Sequence, residues 1–227
     1  MNDVRAVWRS GYFDRLGAAA YDFVVERERL ARWLGGLSWG GHLGRLYESM
    51  RAIRERGDGS SILDVPCGGG IAFRALSPEQ GVRYVAVDIS PGMLRRARRE
   101  AERRSLKQIE LLEADVESLP FQSGSFDLCV SFNGIQCFDH PEAALREIAR
   151  CLRPTGRLVG AAVVRGAGAR YDRQIEFYRR RRIFGPGATV AELEGWLASS
   201  GLYPLSLERS GAIAYFTATR VTRTAST

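Results

Sequence analysis

At 227 residues the chain has room for one cored α/β domain with some decoration and too little for two ordinary domains. Hydrophobic residues at 45%, charged residues at 26% and 25 glycines exclude disordered, fibrous and disulfide-stapled classes, and the longest apolar run, 158–164, is far short of the ~20 residues a membrane span needs. The formal net charge of +7 rests on arginine, with Lys107 the single lysine, so an anionic partner such as nucleic acid or a phosphorylated compound has to be weighed.

From residue 1 to about 58 the pattern is helical. Asp3, Arg5 and Arg9 stand where a secretory signal would carry its basic and apolar regions, so the cytoplasm is expected. One helix is expected over 17–34, and Leu43, Leu46, Tyr47, Met50 and Ile53 mark the buried face of another that ends at Gly57. Beyond Gly57-Asp58-Gly59-Ser60 short apolar strands alternate with helices, which predicts a parallel sheet covered on both faces. Strands are expected at 61–65, 84–87, 109–113, 126–131 and 156–164.

Ser90-Pro91 caps the helix after the second strand, whose arginines 95, 96, 98, 99, 103 and 104 read as a solvated face. Asp139-His140-Pro141 opens a long helix with Leu145, Ile148, Ala149 and Leu152 on its buried stripe, and Arg153 to Gly156 turns out of it. Thr189 and Glu192 form a capping-box pair, and the runs 203–208 and 212–219 are so close that they must be antiparallel. The expected fold is thus a Rossmann-like, seven-stranded, mostly parallel sheet that closes on an antiparallel hairpin. A single domain is expected, with an N-terminal helical lid at 1–58, a binding core at 59–227 and an insertion at about 165–187. Cys67, Cys129, Cys137 and Cys151 form no CxxC pair, and two histidines are too few for a zinc site, so no metal is expected and the cysteines read as reduced, mostly buried thiols.

The chemistry concentrates at strand ends. Ile62 to Gly70 runs a buried strand into a glycine-rich turn at the start of a helix, where backbone N–H groups are open to a ligand. Pro66, Gly68 and Gly70, with Phe73 following, do not spell the three-glycine dinucleotide fingerprint, and Asp64 would repel a pyrophosphate while suiting an ammonium group. Asp88, 24 positions on, ends the second strand, where a carboxylate can accept both hydroxyls of a ribose. Asp115 follows the third and can accept from an exocyclic amine. Each acid alone could equally cap a turn or a helix; together they converge on one crevice.

These motifs resemble the class I S-adenosylmethionine-dependent methyltransferases, in particular the small-molecule subgroup of quinone biosynthesis. The resemblance covers about 59–220 and is carried by LDVPCGGG at 63–70, VAVDIS at 85–90, the run 113–138, PEAALREIARCLRPTGRLV at 141–159 and the closing helix and hairpin. It implies S-adenosyl-L-methionine as cofactor and S-adenosyl-L-homocysteine as product. Asp64 and the backbone around Gly68 and Gly70 would hold the methionine moiety, Asp88 the ribose, and Asp115 with Val116 the adenine. Ile89 and Met93 would pack on the adenine faces, and Asn133 would lie beside the sulfonium end. Two positions depart from the family: Pro66 replaces the usual first glycine, and Ile135-Gln136-Cys137 stands where many relatives have histidine.

Methyl transfer needs alignment, exclusion of water and sometimes a base. Candidate catalytic residues are Asn133, His140 and His42; His140 has the pKa range of a base and equally the place of a helix start before Pro141. Tyr21 in the lid is a contact to the methionine carboxylate or the acceptor, with core packing as the competing role. In the insertion, Tyr171, Phe177, Tyr178 and Phe184 surround the arginines 179–182; Tyr178, Phe184 and Arg182 would give an aromatic wall and a cationic rim for an aromatic or anionic acceptor.

The expected activity is methylation of an oxygen, less often a carbon or nitrogen, of a small metabolite, quinone or lipid-like compound, with a homodimer admitted. The alternatives are an RNA methyltransferase, which the charge favours and the absence of an Asn/Asp-Pro-Pro-aromatic motif opposes, and a non-catalytic cofactor-binding homologue. Arginine in place of lysine points to a GC-rich bacterial genome.

Overall fold

The computed structural model describes residues 4–10, 39–41 and 43–221. β1 (Ser61–Asp64), β2 (Arg83–Asp88), β3 (Ile109–Glu113), β4 (Phe126–Phe132), β5 (Leu152–Val163), β6 (Leu202–Ser210) and β7 (Ile213–Arg220) form one seven-stranded sheet in the order β3-β2-β1-β4-β5-β7-β6. The first five strands are parallel, and β7 runs antiparallel between β5 and β6. Gly211, at φ +59°, supplies the left-handed residue that so short a β6–β7 turn demands.

Period-two alternation divides the sheet's side chains between two layers. Leu63, Val85 and Val87 face one layer, closed by Leu145 and Ile148 of α5 (Pro141–Cys151) and by Leu193 and Leu197 of α7 (Val190–Ser199). Ile62, Tyr84 and Ala86 face the other, closed by Leu46 of α2 (Leu43–Ser49), Ile53 of α3 (Arg51–Arg54) and Ala97 of α4 (Pro91–Arg103). Each buried leucine, isoleucine or valine among them contributes roughly 1.5–3 kcal/mol. The caps form as expected: Ser90 accepts from Met93 N–H, and the Thr189–Glu192 box closes on both sides.

Several elements differ from the sequence reading. The helix around Met50 is broken into α2 and α3, because the amide of Ile53 bonds Met50 O, three residues back, and tightens the turn. The glycine-rich turn leads into a five-residue 3₁₀ turn, Ile71–Ala75, instead of the expected α-helix; Ser77-Pro78 follows at once and stops helical continuation. No helix separates β3 from β4. β5 starts at Leu152, which pairs with Phe126 across an irregularity before the ladder resumes at Leu128 and Arg157; Thr155, at φ +65°, lies within it. The expected helix over 17–34, together with Tyr21 and His42, lies outside the described residues.

Connections from β1 lead to β2 and β3 on one side, while β4 and β5 lie on the other. The carboxyl ends of β1 and β4 therefore flank the switch point, where open α/β sheets hold ligands. The described part of the N-terminal segment includes α1 (Val4–Arg9), whose first amides donate to Asp139. The insertion forms α6 (Ala169–Arg180), which packs over the end of β5 through Ile175.

Candidate active site

The turn after β1 is held open by its backbone. Gly68 and Gly70 take φ +52° and +85°, and a Cβ at Gly68 would meet no atom within 4 Å, so that flank of the bend is clear for a ligand. Cys67 N–H donates to Val87 O, which lashes the bend to the end of β2. A side chain at Gly134 would run into the Pro66 ring, so the unusual proline is accommodated by a glycine on the loop after β4. The first and fourth strand ends meet there.

Asp64 is 2% exposed and accepts the Tyr84 hydroxyl at 2.8 Å. Burial pushes its carboxyl up to about 8; the Tyr84 bond works against that shift and the charge of Asp88 adds to it. The acid is therefore largely protonated at neutral pH and short of a positive partner. Asp88, 5% exposed, accepts Gly68 N–H at 2.8 Å on one oxygen and Ser90 N–H at 2.9 Å on the other. Burial raises it to about 6 against these amide bonds. Ile89 N–H also lowers it, and with three amides around it the carboxylate still has acceptor capacity for a further donor. The helix after β2 is capped by Ser90 and not by Asp88, which removes the simplest structural reason for an acid at 88.

Asp115 caps its own turn, accepting Glu117 N–H at 3.0 Å, and also meets Arg5 and Arg9 of α1 at 3.5 and 3.6 Å. Arg5 reaches Glu117 at 3.4 Å and Asp139 at 3.3 Å as well, so α1 lies across the loops after β3 and β4. Val116 and Met93 are buried, each 8% exposed, and Ile89 is half-buried.

Asn133 follows β4 at once, at φ +57°, a conformation in which asparagine is several-fold enriched, and it is exposed. Its N–H donates to Ala161 O, and its carbonyl accepts Gln136 Nε2 at 2.7 Å. Gln136 is 5% exposed and takes Val163 N–H on Oε1 at 3.2 Å, so it ties the ends of β4 and β5 together. His140 precedes α5 with its ring Nδ1 2.9 Å from Glu117 and its N–H on the same carboxylate; the ring is solvent-exposed. This is the geometry of a helix start. Burial pushes the Cys137 thiol up to about 12, with the charge of Asp88 adding to it, so no thiolate serves as nucleophile here at neutral pH.

At the insertion Tyr178 and Phe184 meet at 5.0 Å with their rings tilted by 36°, and Trp39 meets both at 6.1 Å, stacked on Phe184. Gly185 N–H donates to Gln136 O, and Cys137 packs on the same cluster, which seats this aromatic wall beside the loop after β4. Trp8 Nε1–H donates to Ile183 O and joins α1 to it. Arg182 is exposed at the turn after α6. Sequence reasoning missed Tyr84, Trp8, Trp39 and the Arg5–Glu117–Asp139 cluster. Only Tyr84 left a signal, a phenol in an otherwise aliphatic strand.

The open glycine bend and the acids at successive strand tips lie at the switch point, where open α/β sheets hold ligands. Residues 63–160 match the family model of a methyltransferase domain. An uncharacterized chloroplastic methyltransferase of Arabidopsis thaliana is 27% identical over 87% of this chain and 58% of its own length. The demethylmenaquinone methyltransferase of Thermus thermophilus is 42% identical over 43% of this chain and 44% of its own. The chain spans about half the length of the curated relatives it matches. Among solved structures, geranyl diphosphate methyltransferase in complex with S-adenosylmethionine superposes with a TM-score of 0.67 at 16% identity, covering 79% of this chain and 86% of the other. Residues 63–160 are thus similar to a methyltransferase domain, the relatives they match include a quinone-biosynthesis methyltransferase, and the sheet around them has the methyltransferase fold.

Proposed function

We propose that the protein transfers a methyl group from S-adenosylmethionine to an oxygen, less often a carbon or nitrogen, of a small acceptor with an apolar or aromatic body and an anionic group. The observation that carries this reading is the pairing of a bend open at Gly68 with the acids at 64 and 88, one short of a cation and one with acceptor capacity to spare. Such residues fit an adenosyl sulfonium: positive charge for Asp64, ribose hydroxyls for Asp88, and an adenine amine for Asp115 with Val116, Ile89 and Met93 against the ring. When bound, that group supplies a methyl carbon already activated by positive sulfur.

The chain's own work is then alignment and exclusion of water. Asn133, held by Gln136, presents its side chain at the tip of β4 beside the bend. Tyr178 and Phe184 offer an apolar aromatic wall, and Arg182, exposed after α6, can pair an anionic group. α1 lies over the adenine side as a lid, with Arg5 and Arg9 on Asp115. His140, engaged by Glu117, is not needed as a base when the acceptor is already acidic. A labelled-methyl transfer screen against small-molecule extracts, followed by mass spectrometry of the product, tests the reading. A methylated low-mass product supports it; label appearing only in RNA, or in nothing, overturns it.

A further inference from the structure

Outside the crevice, the outer face of α6 has no role in the reading above. Arg170, Arg173, Phe177 and Arg181 recur at three- and four-residue steps, so they share one side, and all are exposed, as are Arg180 and Arg182 beside them. The opposite side carries Ile175, 2% exposed and packed inward. The acids of α6 are turned to local duties: Asp172 accepts Gly166 N–H at 2.8 Å, and Glu176 pairs with Arg179 and Arg180 at 3.1 Å. Arg173 and Arg182 make no ion pair among the described residues.

At the centre of this basic face Phe177 is 50% exposed. The Arg181 guanidinium lies 3.6 Å above its ring, and Tyr178 meets it edge to face at 5.5 Å. A ring already covered on one face is a poor platform for a nucleobase, which binds by stacking. Apolar bulk set among arginines instead complements a surface that is anionic outside and apolar just beneath, the headgroup boundary of a lipid layer. We propose that the outer face of α6 docks the protein on an anionic lipid surface, with Phe177 below the headgroups and Arg170, Arg173, Arg180 and Arg181 among the phosphates. Behind Phe177 the rings of Tyr178, Phe184 and Trp39 lead toward Cys137, so docking turns the acceptor side of the site toward the bilayer. The lipid contact does not depend on which acceptor is methylated.

The test is co-sedimentation of the full chain with vesicles of phosphatidylcholine alone or of phosphatidylcholine with phosphatidylglycerol. The wild type is expected on the anionic vesicles only, and less as salt rises. Each surface arginine counts about fivefold in partition, so the combined Arg173→Gln, Arg180→Gln, Arg181→Gln variant loses about 100-fold. Phe177→Ser loses several-fold at unchanged charge. A variant that removes the same charge from α4, with Arg95→Gln, Arg98→Gln and Arg99→Gln, keeps most of its binding. Binding of S-adenosylhomocysteine by each variant reports on the fold and on the cofactor reading separately. Indifference to anionic vesicles, equal losses from the α4 and α6 triples, an unaffected Phe177→Ser variant, or binding through these arginines to short RNA while vesicles are ignored would each overturn the proposal.

Discussion

Asp64 keeps a proton at neutral pH because burial strips its carboxyl of water, and the bond from Tyr84, itself buried and uncharged, does not make up the loss. The unfolded chain gives up that proton near 3.8, whereas the folded chain holds it to about 8. Between these values the native state binds more protons, so stability is greatest at low pH within the window and falls as pH rises through it, by at most about 1.4 kcal/mol per unit from this residue. Asp88, raised to about 6, adds a fall in the same direction that is complete at lower pH. Asp64→Asn keeps an oxygen for the Tyr84 hydroxyl and is expected to flatten the decline between pH 6 and 8 in denaturant titrations while weakening cofactor binding. An unchanged pH slope would remove Asp64 from the account. Asp88→Ala is expected to weaken S-adenosylhomocysteine binding by about 1–3 kcal/mol with the fold intact, and an unaltered dissociation constant would refute the ribose role. Both acids were legible in the sequence because a charge at the end of an apolar strand is conspicuous. Tyr84 was not, since its partnership with Asp64 exists only once β1 and β2 are side by side, in the register that sets Asp64 against Ala86.

At the scale of elements, β-strand pattern and capping chemistry carried over well, because both are local: Ser90-Pro91 and the Thr189–Glu192 box form as their spacing requires. The short 3₁₀ turn after Gly70 is a local matter too, and Pro78 was its overlooked marker. α1 is different. Its seat depends on Asp139, 135 positions away from Val4, and no periodicity in a six-residue helix announces that contact. Asp139→Ala removes the acceptor of both Val4 and Arg5 amides and one of the partners of the Arg5 guanidinium. This variant is expected to release α1, seen as several-fold faster tryptic cleavage after Arg5 and Arg9 and as weaker binding of S-adenosylhomocysteine. Wild-type rates on both counts would show that α1 is not held, or does not matter, in this way.

For the whole molecule, the switch point between β1 and β4 gathers what the chain spreads over seventy positions: the bend at 66–70, Asp88 and the Asn133–Gly134 loop. Much of the positive charge, read at first as a hint of nucleic acid, lies on exposed arginines of α4 and α6; Arg96, expected on the solvated face of α4, is instead 7% exposed and packed against Gly69 of the bend, because its position on the helix faces the sheet. Among the described residues no helix is long and apolar enough to cross a membrane. The account therefore stands on the crevice and its appetite for a cation. Titration calorimetry of the folded protein with S-adenosylmethionine and S-adenosylhomocysteine at pH 7, repeated in two buffers of different ionisation enthalpy, tests that most directly. The account predicts one saturable site for each, with heats that differ between buffers because Asp64 releases its proton as the positive ligand settles against it. No heat with either compound from protein shown to be folded would contradict it.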